Sequence, residues 1–478
     1  MRNRAKIAVI GGGVAGSTAA LYLGKTGLSV TLFERERSLI SGPPFCHLHA
    51  GGNLYREISD AQCVALLKQS IDFLRYYPFI VDYRPTVIAV PVEDGGDPTD
   101  LLPRLELLVK EYEAYIAEDP ENEVLGKPSE YYRIYDEEKM KSLRKQTPSL
   151  QPKSFDEWMI PVAKEIDFTK VKFPLILVQE YGLNLFRLAA GVSLLLENIA
   201  AVNLRLSSQV THIDKDADKW MLTYEKEGAV QTESFDYLIN AAGFRTGSID
   251  DMVGVPCRSM VEFKAAYVSK WERCCDALWP EIIFHGERGT PRGMGQFTPY
   301  PDGYFQLHGM TKNITLYEDG LVSSTKQSCQ PQLKSDFIEK INRTWRAEEI
   351  EERTRNAVGH LSQYIPRFSE AKVGSKPLYG AQQIPGSDPT LRVAEVSFPT
   401  KRYARCEIVK VSSVLDMVDA IVKDLHRYGL IDDASPRRER EHPGLTDEEA
   451  ISQKAAQIAL SRDYPPSLSK RNVVSRQM

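Results

Sequence analysis

The chain has 478 residues, too many for one ordinary core, so two or more domains are expected. With 42% hydrophobic and 26% charged residues it has the balance of a soluble globular protein, and its formal net charge of −5 argues against a dedicated nucleic-acid binder. No run of about 18 apolar residues occurs, so no membrane span is predicted. Seven scattered cysteines, without paired C-x-x-C units, suit neither a disulfide framework nor a structural zinc site and point to a reducing, cytoplasmic setting.

The start, Met1 to Lys6, has the look of a signal-peptide head. The apolar run behind it is broken at once by three glycines and is better used as a first strand. Ile7 to Ile10 is that strand, and Gly11-Gly12-Gly13-Val14-Ala15-Gly16 follows with the G-x-G-x-x-G spacing. Ala19 to Leu23 continues as a helix, and Leu28 to Phe33 reads as a second strand ending at Glu34. Gly11 permits the tight turn, Gly13 lets a pyrophosphate approach the backbone, and Gly16 lets helix and strand pack closely. The helix start offers unpaired N–H groups to phosphates. Glu34, about 20 residues on, is placed to accept from ribose hydroxyls. A purely structural strand–turn–helix is the alternative; the flanking strands and the acid favour a dinucleotide site.

Residues 35–55 read as a Gly- and Pro-rich loop holding His47, His49, Ala50, Gly51, Gly52 and Tyr55. The histidines are loop polar groups or neighbours of something flat; no third ligand is near enough for a metal. Helical periodicity covers 59–77 and 101–116, with a strand at 81–91 between them. A polar, acidic stretch follows over 118–152. A helix is predicted over 184–198, a strand over 203–213, and a hairpin through Trp220 to Tyr224 and Phe235 to Asn240. That last strand ends in Ala241-Ala242-Gly243, as where the carboxyl end of a central strand meets a ligand. Residues 255–371 are β-rich, with Pro301-Asp302-Gly303 as a turn between strands and a helix at 336–346. A strand at 391–398 and a helix from Ser412-Ser413 to about Tyr428 come next. Beyond Leu430 the chain is highly charged. Thr446-Asp-Glu-Glu449 has a capping-box pattern, and Ile451, Ala455, Ile458 and Ala459 form a modest apolar stripe, read as a peripheral helix in a partly disordered tail.

Four segments, in this order, resemble the flavin-dependent oxidoreductases of the D-amino acid oxidase superfamily: Gly11 to Glu34, Cys46 to Gly52, Tyr181 to Gly243, and Pro377 to Val418. No second G-x-G-x-x-G exists, which speaks against a separate NAD(P)H domain. The resemblance implies an α/β fold: a Rossmann-like, glutathione-reductase-type FAD-binding domain interleaved with an α+β substrate domain on a mixed, largely antiparallel sheet. Residues 1–80, 176–255 and 375–430 would form the first domain, 81–175 and 256–374 the second, and 431–478 the tail.

It also implies site roles. Gly11, Gly13, Val14, Ala15 and Gly16 would hold the FAD pyrophosphate, with Ala241, Ala242 and Gly243 lining it. Glu34 would hold the adenosine ribose, Arg35 would lie along the adenine, and Val210 would meet the adenine through its backbone. His49, Ala50 and Gly51 would pass the flavin ring, and the helix at Ser412-Ser413 would point at its N1/O2 edge. The sequence departs from the family in having no glycine over Cys406 to Ser413. The histidine loop resembles that of dimethylglycine and sarcosine dehydrogenases, where the histidine carries a covalent flavin; noncovalent FAD is the default expectation here.

The expected chemistry is oxidation of a C–H bond beside an amine or hydroxyl of a small substrate by hydride transfer to flavin N5. Arg402 is the favoured carboxylate clamp, ahead of Arg405, Arg245 and Arg84. His49, His308 and Tyr55 are candidate bases. The electron acceptor is O2 or a quinone. A quinone-linked 2-hydroxy acid dehydrogenase and an NAD(P)H-dependent monooxygenase are the rival readings. A homo-oligomer stays open.

Overall fold

The computed structural model describes residues 4–42, 58–272, 276–434, 444 and 447–476. The strand Lys6–Ile10 is buried on both faces except at its first residue, the pattern of a central parallel strand. It pairs in parallel with Ser29–Phe33 on one side and Tyr237–Asn240 on the other. Val202–Arg205 extends the first edge in parallel, and Tyr403–Cys406 the second. Val396–Thr400 closes the six-stranded sheet antiparallel. The crossover helix Val14–Lys25 is buried from Ala15 to Gly24, because helices Leu185–Glu197 and Val414–Arg427 both pack on it.

A second, nine-stranded mixed sheet is built from two distant stretches of chain. Thr86–Pro91, Val171–Val178 and Tyr132–Tyr135 supply one part. Ser259–Lys270, Tyr304–Gly309, Gly295–Pro299 and Glu281–Phe284 supply the other, with Lys372–Pro385 and Leu321–Ser323 paired to the first of these. The two parts join where Glu281–Phe284 runs parallel to Thr86–Pro91. The sheet has its own aromatic core, with Trp271, Trp279, Phe297, Phe305 and Phe368 in edge and tilted contacts.

Four predicted elements come out differently; the hairpin read through Trp220 to Tyr224 and Phe235 to Asn240 instead pairs Lys219–Lys226 with Ala229–Phe235, while Tyr237–Asn240 joins the parallel sheet. The run at 203–213 is two strands in two sheets, Val202–Arg205 and Ser208–Asp216. Ser207 takes φ 51 between them, and Ser208 N–H donates to the Glu34 carbonyl at 2.8 Å, so the chain folds over Glu34 into a three-stranded antiparallel sheet. The helix read at 336–346 stops at Ile341; Arg343 turns left-handed at φ 78, and a separate helix Ala347–Ser362 follows. The strand read at 391–398 pairs only from Val396.

The helix Glu448–Ser461 starts at Asp447, whose side chain accepts from Ala450 N–H. Its stripe of Ile451, Ala455, Ile458 and Ala459 is buried and packs on Leu185–Glu197. Among the described residues no helix is long and apolar enough to cross a membrane, and no cluster of three or more His, Cys, Asp or Glu could hold a metal ion.

Candidate active site

One cavity of about 1270 Å3 reaches from the carboxyl ends of the parallel strands to the face of the second sheet. It exceeds the roughly 300–1,000 Å3 of ordinary small-molecule sites. Gly11, Gly13, Val14 and Ala15 line it, whereas Gly16 is used for packing: a Cβ there would lie 1.9 Å from the Gly11 carbonyl oxygen. Gly11 sits at φ 101, and a Cβ on it would meet the Ala241 carbonyl at 2.4 Å. Gly13 is the opposite case. Nothing lies within 4 Å of its absent Cβ, and it begins the helix with no side-chain cap and no acid in the first turn. Open space in front of uncapped helix N–H groups is what a pyrophosphate needs.

Glu34 lines the same cavity and is buried. Burial pushes its carboxyl up from the ordinary glutamate value, against the pull of hydrogen bonds from Glu36 and Gly12 N–H. Beside it lie Arg35, Ser208, Gln209 and Val210. Ala241, Ala242 and Gly243 follow the strand end, held by buried Asn240, whose amide donates to the Thr246 carbonyl at 2.9 Å and the Tyr403 hydroxyl at 2.8 Å. These residues fit an FAD molecule lying across the strand ends.

The inner wall combines Lys410, Val411 and Ser412 with Lys264, Gln296, His308, Tyr379, Gln382 and Gln383. The glycine-free loop is pinned by two amides: Gln382 donates to the Val409 carbonyl at 3.1 Å, and Gln383 to that of Cys406 at 3.1 Å. Gln382 also accepts from Lys264 at 3.0 Å. Lys264 pairs with Glu262 at 2.8 Å, and Arg288 bonds the other Glu262 oxygen. Burial drives the Lys264 ammonium below the ordinary lysine value, with Glu262 opposing. Burial would raise Glu262, but Lys264 and Arg288 outweigh it and hold the carboxyl below its ordinary value. Arg392 lines the cavity as well.

Several sequence expectations land elsewhere. Arg402 sits at φ 59 in the turn before Tyr403, donates to the Asp218 carbonyl at 3.1 Å, and does not line the cavity. Arg405 is locked to buried Asp250 at 2.9 Å. Arg84 is buried against Glu281 at 2.6 Å. Ser413 turns its hydroxyl away to Gln69 Oε1 at 2.8 Å, whereas Ser412 lines the cavity. Arg245 does line it, beside Arg35. His47, His49, Ala50, Gly51, Gly52 and Tyr55 lie outside the described residues.

Sequence reasoning missed Lys264, Arg288, Arg392 and Gln296. One signal was available: Glu262 and Lys264, two apart in the mostly apolar middle of a strand, must share a face. Arg462 and Tyr464, which reach the cavity from the tail, gave none.

The family model for FAD dependent oxidoreductases, DAO, matches residues 6–386. Similar solved folds include L-proline dehydrogenase from P. horikoshii (13% identity, TM-score 0.56, covering 97% of this chain and 100% of that one). Glycine oxidase from Geobacillus kaustophilus is another (13%, 0.52, 90% and 95%), as is glycerol-3-phosphate dehydrogenase from Bacillus halodurans complexed with FAD (12%, 0.55, 97% and 74%). No curated protein sequence matches. With the family model spanning most of the chain and the glycine cradle open to receive the cofactor, the protein belongs to the DAO family of FAD-dependent oxidoreductases.

Proposed function

We propose that this enzyme oxidises a C–H bond beside an amine or hydroxyl of a small anionic substrate. The observation that carries this reading is that Lys264 and Arg288 share the single carboxylate of Glu262 on the wall of the cavity that the glycine loop opens into. The positive charge left over when Lys264 and Arg288 share one carboxylate is suited to a carboxylate or phosphate on the substrate. Bound FAD supplies the two-electron acceptor at flavin N5.

The residues of the chain divide the remaining work. The uncapped helix start and Gly13 hold the pyrophosphate, Glu34 the ribose, and Arg35 and Val210 the adenine. Lys410, Val411 and Ser412 present a helix start to the inner end, where its partial positive charge favours negative charge. The cation group anchors the substrate, and His308 takes the proton from its ammonium or hydroxyl. The proposed clamp is therefore Lys264 with Arg288, in place of Arg402.

The test is anaerobic mixing of the flavoprotein with amino acids, N-methylated glycines, 2-hydroxy acids and glycerol phosphate, following the flavin absorbance. Bleaching by an anionic donor, and not by its esterified or amidated analogue, is the expected result. No bleaching by any of them overturns the reading. Reoxidation by O2 against a soluble quinone then identifies the acceptor, and reduction by NADPH alone would revive the monooxygenase.

A further inference from the structure

Beside the cations the cavity wall carries a patch of a different kind. Two adjacent strands reach it through the mirrored triplets Met294-Gly295-Gln296 and His308-Gly309-Met310. Gly295 pairs with Gly309 and Gln296 with His308 in the antiparallel register. Met310 N–H donates to the Met294 carbonyl at 2.8 Å, so the two methionines stand opposite each other. Residues two apart share a face of the pleat, and Met294 and Met310 line the cavity with their polar neighbours. The glycines between them face packed side chains on the other side. A Cβ on Gly309 would lie 2.6 Å from Ile314 Cδ1, and one on Gly295 3.0 Å from Leu361 Cδ2. That packing fixes which face the methionines take.

Both methionines are half-buried, and neither joins any of the three hydrophobic cores formed by the described residues. Their apolar surface is turned to the cavity, as in ligand sites where apolar side chains adjoin a few polar groups. The cations stand next to them. Gly289 N–H donates to the Met310 carbonyl at 2.8 Å, which sets Arg288 at the edge of the pair. Arg288 in turn reaches Glu262, the partner of Lys264. A charged end and an apolar floor thus adjoin in one cavity.

We propose that Met294 and Met310 are specificity-determining residues that take the apolar side chain of the donor while Lys264 and Arg288 hold its anionic group. This rests on the function proposed above and narrows it to anionic donors with an unbranched aliphatic or aromatic side chain, ahead of donors without one, such as glycine or glycerol phosphate. Methionine is unbranched and polarizable, so the pair adapts to either shape and discriminates little between them.

The experiment titrates the FAD-loaded enzyme with straight-chain carboxylates from acetate to hexanoate, and with the matching amides, following the flavin absorbance. These probes need no turnover. Each methylene seated on the pair should tighten binding about three- to fourfold. Met294→Gln and Met310→Gln keep the side-chain length and the backbone bonds but make the floor polar. Each should flatten the gradient to under about twofold per methylene, with FAD content as in the wild type. Lys264→Met should weaken all chain lengths by a similar factor and leave the gradient in place. A wild-type series without binding or without a gradient overturns the proposal. So does a gradient that survives in both methionine variants, or a loss of FAD from them, which would mean that the pair packs against the cofactor. Amides that bind as tightly as carboxylates would sink the anion clamp instead; the methionine site would stand on the gradient, so the two failures are distinguishable.

Discussion

The Glu34 carboxylate turns back onto the glycine loop: Oε2 accepts the Gly12 N–H at 2.6 Å, and Oε1 accepts that of Glu36 at 2.8 Å. The acid thus shapes the loop as well as facing the cavity. Glu34→Ala leaves buried backbone donors unpaired, at about 1–3 kcal/mol for each. We expect a lower melting temperature of the apoprotein together with weaker FAD binding, read by calorimetry and by flavin fluorescence on titration.

Gly13→Asp separates fold from cofactor. The space around Gly13 is open, and aspartate is a good helix cap, so apoprotein stability should stay within about 0.5 kcal/mol or improve. The new carboxylate sits where the pyrophosphate must go, and like charges so placed cost several kcal/mol. FAD affinity should fall on the order of 100-fold or more. A Gly13→Asp protein that purifies with full flavin would refute this use of the helix start.

The clamp is tested by its effect on KM. A hydrogen bond to a charged group contributes about 1.5–3 kcal/mol, so Lys264→Met and Arg288→Met should each raise KM for an anionic donor about 10- to 100-fold. Arg402→Ala should leave KM unchanged, because that side chain reaches Asp218 and not the cavity.

Glu262 sets an acid-side dependence. Its carboxyl is held below the ordinary glutamate value by Lys264 and Arg288 against the cost of burial. The unfolded chain therefore takes up the proton more readily than the folded one. The stability this group contributes is complete above the ordinary glutamate pKa and is lost as pH falls through the lower, folded value. Melting temperatures recorded from neutral pH downward should fall less steeply for Glu262→Gln than for the wild type.

The tail reaches the cavity through Arg462. Its guanidinium donates to the Ile40 carbonyl at 2.9 Å, the Leu39 carbonyl at 2.7 Å and Ser38 Oγ at 2.9 Å. Burial, with Arg343 adding to it, pulls its pKa down to about 10, so it is charged at neutral pH. Ile40 sits at φ 53 and donates its N–H to the Gly12 carbonyl, so the loop that Arg462 holds is hydrogen-bonded to the glycine turn. Arg462→Met should destabilise the protein by about 2–4 kcal/mol and speed FAD dissociation. Stopped-flow loss of flavin to an apoprotein acceptor measures the second effect.

The first strand, the glycine turn and Glu34 were legible because their residue types answer to local demands: a positive φ at Gly11, close packing at Gly16, burial on both faces of Ile7 to Ile10. The strand end at Asn240 was legible for the same reason. The break at Ser207 was not, since nothing in Leu206-Ser207 marks a turn and it is the bond to the Glu34 carbonyl that bends the chain. Arginines defeated sequence reasoning most clearly. Arg84, Arg402, Arg405 and Arg288 look alike as letters, and only long-range pairing with Glu281, Asp218, Asp250 and Glu262 tells a buried strut from a substrate contact.

The parallel join of Glu281–Phe284 to Thr86–Pro91 has a bearing on biogenesis. During synthesis the strand at 86–91 emerges nearly two hundred residues before its neighbour, and until then its edge is a bare template for any passing strand. The nine-stranded sheet therefore cannot be completed early, cut out, or transplanted as a contiguous piece. Its completion waits on the late strands, Glu281–Phe284 among them.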